Sequence, residues 1–155
     1  MKEKTFLKRR FGMSYLINPV DEDQYVFLRY EGTMPPIEIV AVRYGATGLL
    51  SALHWDRLLM DITELRTIPP DLELFRLFSG LSPDLSPNAR VALVIREEQA
   101  KQARLVQDIA RKEGVFLACF SDVEQASTWM KGIRPHERSQ TRPANSMRQP
   151  GNQKG

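Results

Sequence analysis

Short apolar blocks alternate with amphipathic ones along the chain. Residues 13–17 (Met-Ser-Tyr-Leu-Ile) predict a short strand, closed by Asn18 and Pro19. Residues 25–30 (Tyr-Val-Phe-Leu-Arg-Tyr) are aromatic and β-branched, which also favours a strand. Asp21, Glu22 and Asp23 mark the turn between them. Residues 57–62 (Arg-Leu-Leu-Met-Asp-Ile), 90–95 (Arg-Val-Ala-Leu-Val-Ile) and 115–120 (Val-Phe-Leu-Ala-Cys-Phe) are nearly continuous apolar runs. Strands buried on both faces read in this way.

Helical spacing fills the gaps between the runs. Ile37, Val40, Ala41, Tyr44, Gly48 and Ala52 recur at steps of three or four, predicting a helix over residues 37–53. Thr33 ahead of Pro35 and Pro36 offers it a cap. Residues 37–42 are also good strand material, and Gly45 and Gly48 weaken a helix. Alternatively, the small residues Ala41, Gly45, Ala46 and Gly48 let that helix sit close to a sheet. Pro69, Pro70 and Asp71 open a second helix carrying Leu72, Phe75, Leu77 and Phe78. Ala100, Ala103, Val106, Ile109 and Ala110 stripe a third over residues 97–113, and Gly114 ends it. Ser121 and Glu124 form a capping-box pattern ahead of a fourth, with Ala126, Trp129 and Met130 inward. The predicted order is β-β-α-β-α-β-α-β-α. Such alternation implies an α/β fold: a mostly parallel mixed sheet of about five strands with helices packed on it. The first hairpin would supply an antiparallel edge.

Composition narrows the function classes. At 155 residues one domain is expected. Residues 1–12 carry a charge of +4, residues 133–155 another +4, and residues 13–132 carry −5. The expected organisation is therefore a loose basic N-terminal extension over residues 1–12, a folded domain over 13–132 and a disordered basic tail over 133–155. An acidic folded part repels phosphates, so no specific nucleic acid is expected. No apolar run is long enough to span a membrane, and no apolar signal core follows the basic start. Cys119 is the lone cysteine, which excludes an internal disulfide and makes cytoplasm the expected location.

Three segments carry a family resemblance. They are residues 58–62 (Leu-Leu-Met-Asp-Ile), residues 90–94 (Arg-Val-Ala-Leu-Val) and residues 120–130 (Phe-Ser-Asp-Val-Glu-Gln-Ala-Ser-Thr-Trp-Met). Together with the element order, the chain resembles the STAS domain, the fold of bacterial anti-sigma-factor antagonists, and within it the SpoIIAA-like (STAS/SEC14-type) group. The last segment is similar to that group's Phe-x-Asp-x-x-x-Ala-x-x-Trp-Leu close, with Met130 in place of leucine. The resemblance covers about residues 13–132. It implies a domain that binds a partner protein. Antagonists of the family carry an Asp-Ser-Ser-Gly motif at the start of the helix after the third strand, with a serine whose phosphorylation switches binding. Here that stretch is residues 63–71 (Thr-Glu-Leu-Arg-Thr-Ile-Pro-Pro-Asp), which has no serine.

Candidate chemistry is sparse. Neither a dinucleotide-binding nor a Walker-type glycine loop occurs, and two histidines (His54 and His136) make a poor metal set. No cofactor is expected, and Cys119 reads as an inert core thiol. Asp61 ends a buried strand, where ligands of α/β sheets tend to sit, or else bonds nearby turn N–H groups. Thr63 and Thr67 are either phosphate acceptors or turn and cap residues. With Asp71, these make a candidate partner or regulatory surface. Phe75, Phe78, Leu81 and Trp129 are either core residues or the lining of a pocket for a lipid-like ligand, as the SEC14 resemblance implies. The expected function is a non-enzymatic regulatory or adaptor domain that binds a protein partner through the edge hairpin or the surface around residues 63–71. The alternative is a carrier or sensor of a small apolar ligand.

Overall fold

The computed structural model describes residues 6–10, 13–33, 35–67, 70, 78 and 85–132. Six strands form one sheet: β1 (Phe6–Arg10), β2 (Met13–Val20), β3 (Tyr25–Gly32), β4 (Arg57–Leu65), β5 (Arg90–Val94) and β6 (Phe116–Phe120). They lie side by side in chain order. β1, β2 and β3 pair antiparallel, and β3 to β6 pair parallel. Three helices are described: α1 (Pro36–Leu53), α2 (Ala100–Lys112) and α3 (Val123–Gly132). The helix expected to begin at Pro69 lies outside the described residues, apart from Pro70 and Phe78.

Five of these strands, β2 to β6, are the expected ones. β1 was not: residues 6–10 pair with β2, so β1 rather than the β2–β3 hairpin forms that edge. The segment Phe-Leu-Lys-Arg-Arg has no apolar alternation to announce a strand, and edge strands commonly carry such charge.

Side-chain alternation divides the sheet into two packed faces. Val26, Leu28 and Tyr30 of β3, Leu58 and Met60 of β4, and Val91 and Leu93 of β5 share one face. Ile39, Val42, Ala46 and Leu50 of α1 cover it, with Ala103, Val106, Ile109 and Ala110 of α2 beside them. Phe78 packs into the same core. The opposite face holds Tyr25, Leu59, Ala92 and Val94, covered by Ala126 and Met130 of α3. Strands β4 and β5 therefore bury both sets of side chains, which is why they read as unbroken apolar runs. Each fully buried Leu or Val adds roughly 1.5–3 kcal/mol by its removal from water.

The helix ends are set by local bonding. Gly114 takes φ +80 after α2, and Val115 N–H donates to Ala110 O at 2.8 Å. This closes the C-terminus as the sequence predicts. Two predicted caps differ. Asp122, not Ser121, caps α3: its Oδ1 accepts from Gln125 N–H at 2.7 Å. Thr33 does not cap α1; Pro35 occupies the N-cap and its carbonyl accepts from Glu38 and Ile39 N–H. Proline at the next position needs no donor partner, which suits the start of a helix. At the far end of α3, Arg57 Nη1 donates to Met130 O at 2.9 Å. A cation at a helix C-terminus meets a favourable dipole, and this one ties α3 to the start of β4.

Candidate functional site

The candidate surface sits where β4 outruns β5. β4 pairs with β5 only from Arg57 to Asp61, yet continues to Leu65 alongside β3. The β3 register slips here: Arg29 faces Asp61, but Glu31 faces Glu64. Ile62 and Thr63 thus both lie opposite Tyr30, which makes a bulge. A bulge and an overhang each leave backbone groups without ladder partners, and buried orphans are costly.

Side chains satisfy them. Asp61 is 2% exposed, and its Oδ1 accepts from Thr63 N–H at 2.9 Å and Thr63 Oγ1–H at 2.7 Å. Its Oδ2 accepts from Arg29 Nε–H at 3.3 Å, and the Arg29 guanidinium also lies over the Phe27 ring. On the β5 side, buried Gln99 donates to Ile62 O at 2.9 Å and accepts from Arg96 N–H at 2.9 Å. Arg96 donates to the carbonyls of Thr63 and, at 3.0 Å, Leu65. The short 3₁₀ turn Glu97–Gln99 leading into α2 thereby clamps the overhang of β4.

Asp61 and Thr63 are thus brought into direct contact, in the bonding that a structural Asp and a turn Thr would make. Thr67 is exposed past the end of β4, and Asp71 lies outside the described residues. Arg29, Arg96 and Gln99 complete the cluster. Their polar side chains, far apart in sequence, gave no periodic or motif signal.

Two of the four residues expected to line an apolar pocket are described, and they lie apart. Phe78 packs on the α1–α2 face and Trp129 on the α3 face, with the sheet between them. Phe75 and Leu81 lie outside the described residues. Trp129 instead meets Phe116 edge-on, with centroids 5.7 Å apart, and Phe120 at 5.4 Å. An open cleft of about 470 Å³ lies elsewhere, at the C-terminal end of α1. Leu50, Trp55 and Leu85 give it apolar walls, and Ser51, His54 and Asp56 give it polar ones.

A second surface lies on α1. Its helical repeat Ile37, Ala41, Tyr44, Gly48 and Ala52 faces solvent, while Ile39, Val42, Ala46 and Leu50 face the sheet. Ile37 is 76% exposed and Tyr44 55%. Both faces of α1 are apolar, so periodicity alone could not choose between them. Of the small residues expected to admit a close sheet contact, Ala46 is buried; Ala41 and Gly48 are not. A Cβ at Gly45 would meet Ile17 Cδ1 at 3.5 Å, an ordinary contact. The signal in the sequence was the shortage of charge: only Glu38 and Arg43 are ionisable cations or anions across 18 residues, and Arg43 is buried.

Among solved structures, an anti-sigma factor antagonist from Mycobacterium paratuberculosis superimposes with a TM-score of 0.53 at 12% identity. The match covers 84% of this chain and 95% of that one. An uncharacterised protein with a SpoIIAA-like fold from Shewanella loihica gives a TM-score of 0.43 at 17% identity, covering 83% and 93%. No protein-family model and no curated protein matches the chain. The fold is that of the STAS, SpoIIAA-like domain. Among the described residues, no helix is long and apolar enough to cross a membrane.

Proposed function

We propose that this STAS-type domain is a non-enzymatic regulatory module that acts by binding a protein partner through the outward face of α1. The observation that carries the reading is the exposure of Ile37 and Tyr44 in one helical row with Ala41, Gly48 and Ala52, the buried Arg43 guanidinium lying over the Tyr44 ring. Water-exposed apolar residues in a contiguous row favour association, because docking removes them from water. The description of the mycobacterial fold neighbour as an anti-sigma factor antagonist supports a regulatory role. A single, partly buried cysteine fits the cytoplasm as the place of action.

The region around Asp61, Thr63 and Thr67 is the second candidate surface, and a place for regulation. A phosphate on Thr63 would displace its hydroxyl from Asp61 and set further negative charge against a buried carboxylate. Thr67 is exposed and carries no such penalty, so it is the better acceptor of the two.

The test is a photo-crosslinking amino acid placed at Tyr44 in the cells that make the protein, with Lys101 on the exposed side of α2 as the control position. Crosslinked polypeptide at Tyr44 and none at Lys101 supports the reading. Equal or absent labelling at both ends it.

The cleft at the end of α1 favours a second reading, a carrier of a small ligand. Its volume falls within the ordinary range for small-molecule sites. Native mass spectrometry of protein purified from its own cells decides this. A retained mass of a few hundred daltons, lost in a Trp55→Ala variant, supports a carrier; the bare chain mass counts against it.

A further inference from the structure

We infer that the outer edge of β6 binds an extended peptide segment of a partner protein, one that alternates acidic and apolar residues and adds to the sheet as a further strand. α1 packs over β3 and β4, whereas β6 closes the sheet at the edge opposite β1. The surface is therefore separate from the outward face of α1.

Backbone direction comes first. β6 pairs with β5 in parallel, and among the described residues no strand pairs with its other side. Ile95 N–H donates to Phe120 O at 3.0 Å, so Phe120 aims its carbonyl at β5. Alternation along the ladder then turns Phe116 and Ala118 the same way, and Leu117 and Cys119 away from β5. Two further bonds agree. Gln107 Nε2–H of α2 donates to Leu117 O at 3.4 Å, and Val115 N–H turns from β5 to Ala110 O. A side-chain amide at 3.4 Å is a long, weak partner, which the N–H of an arriving strand displaces readily. Leu117 and Cys119 thus each present an N–H and a carbonyl outward.

This edge lacks the devices that keep other strands away. Charge, proline or a bulge commonly protects an edge. β1, at the opposite edge, has Lys8, Arg9 and Arg10 in its sequence. β6 is Phe-Leu-Ala-Cys-Phe, without charge or proline, and its register with β5 runs without a slip.

The two flanks select the occupant. On one side stands α2. Arg104 and Arg111 lie three residues before and four after Gln107, on the helix face that meets Leu117. Both are exposed, and Arg111 meets Asp108 at 3.2 Å in an exposed pair of little strength. With Lys101 and Lys112, α2 carries four cations against one anion, a net +3, while residues 13–132 as a whole carry −5. On the other side Phe116, Phe120 and Trp129 stand together, half-buried, as an apolar ledge. A strand sends alternate side chains to opposite sides, so acidic residues meet α2 while apolar ones meet the ledge. A second copy does not fit. A twofold axis that pairs two β6 edges antiparallel keeps both α2 helices on one side and sets their positive charge together.

Fluorescence anisotropy with the full chain tests this. The probes are a labelled synthetic peptide that alternates glutamate and valine, and a counterpart that alternates lysine and valine. The glutamate peptide should bind roughly tenfold tighter, and added salt should weaken it. Arg104→Glu combined with Arg111→Glu should reverse that preference. Both positions are exposed, so the fold is kept, as circular dichroism will verify. Hydrogen exchange locates the contact: the bound glutamate peptide should slow the amides of Leu117 and Cys119 and leave those of β1 unchanged. A glutamate peptide that binds without slowing those two amides is held by the basic ends of the chain, and the inference falls. Binding that the paired glutamate substitutions leave unchanged, or no binding of either peptide, overturns it as well. If the chain instead binds duplex DNA and neither peptide, the charge of α2 serves nucleic acid and not a strand.

Discussion

A thiol packed against apolar side chains resists losing its proton, because water solvates the thiolate poorly there. Cys119 is in this position against the α1–α2 core, and burial pushes its pKa up to about 11 from 9.0. It should therefore react with a disulfide reagent only slowly at pH 8 and much faster above pH 10, with the folded rate well below that of the unfolded chain. The same shift has a stability consequence. The neutral thiol favours the fold below about pH 9, and that contribution fades as pH rises toward 11. Tyr30 moves in the same direction: burial raises its pKa, with Arg43 opposing, and its hydroxyl donates to Ile39 O at 3.1 Å. Thermal melts from pH 8 to 11 should fall in Tm, and Cys119→Ala should flatten part of the slope. Asp61 supplies the opposite kind of residue, a buried charge whose oxygens are all engaged. Asp61→Ala strips the partners of Thr63 and Arg29 and should cost about 2–4 kcal/mol in urea unfolding. Asp61→Asn keeps an acceptor for Thr63 and should cost roughly half as much. Equal losses would show that the charge, not the bonding of the bulge, is what matters.

At the scale of elements, the same substitution should act with opposite sign in two places. Gly48 lies inside α1, exposed, and a Cβ there meets nothing within 4 Å. Gly48→Ala should stabilise by roughly 0.5–1 kcal/mol, since alanine restricts the unfolded chain and favours the helix. Gly114 also has open space around it, but its φ is +80. Gly114→Ala should destabilise by about 1–2 kcal/mol through backbone strain alone. Matched urea midpoints for the two variants would contradict both assignments. The contrast also marks what could be read from sequence. Gly114 was legible as a helix stop because a stripe of apolar residues ended just before it. Gly48 was legible as a weak point, but not as an outward one, since α1 is apolar on both sides. β1 was missed for a related reason: its pairing runs through the backbone, and its basic residues carry no alternation. Asp61 stood out at the end of its strand. Arg96 and Gln99 could not, because they matter only once the overhang of β4 exists to be clamped.

Across the whole molecule, two unequal layers share one sheet. Among the described residues, α1 and α2 cover one face, α3 covers the other, and the inner strands contribute to both. The apolar runs of β4, β5 and β6 made this architecture legible in outline, because only a two-faced sheet consumes continuous apolar strands. Which helix covers which face was not legible, and so Phe78 and Trp129 could be imagined in one pocket. Sharing the strands has a consequence for cooperativity. Losing the α3 layer would expose Leu59, Ala92 and Val94, whose strands also hold Leu58, Val91 and Leu93 in the opposite core. Neither layer can melt without disturbing strands on which the other depends, and Arg57 further ties the end of α3 to the start of β4. The two tryptophans report on the layers separately: Trp55 packs against the α1–α2 core and Trp129 belongs to the α3 core. In a Trp129→Phe variant, Trp55 fluorescence and far-UV circular dichroism should trace one urea transition. In a Trp55→Phe variant, Trp129 fluorescence should do the same. Should the Trp129 signal change at clearly lower urea than the dichroism, α3 would be a separately unfolding unit that can leave its face open while the rest of the sheet stays folded.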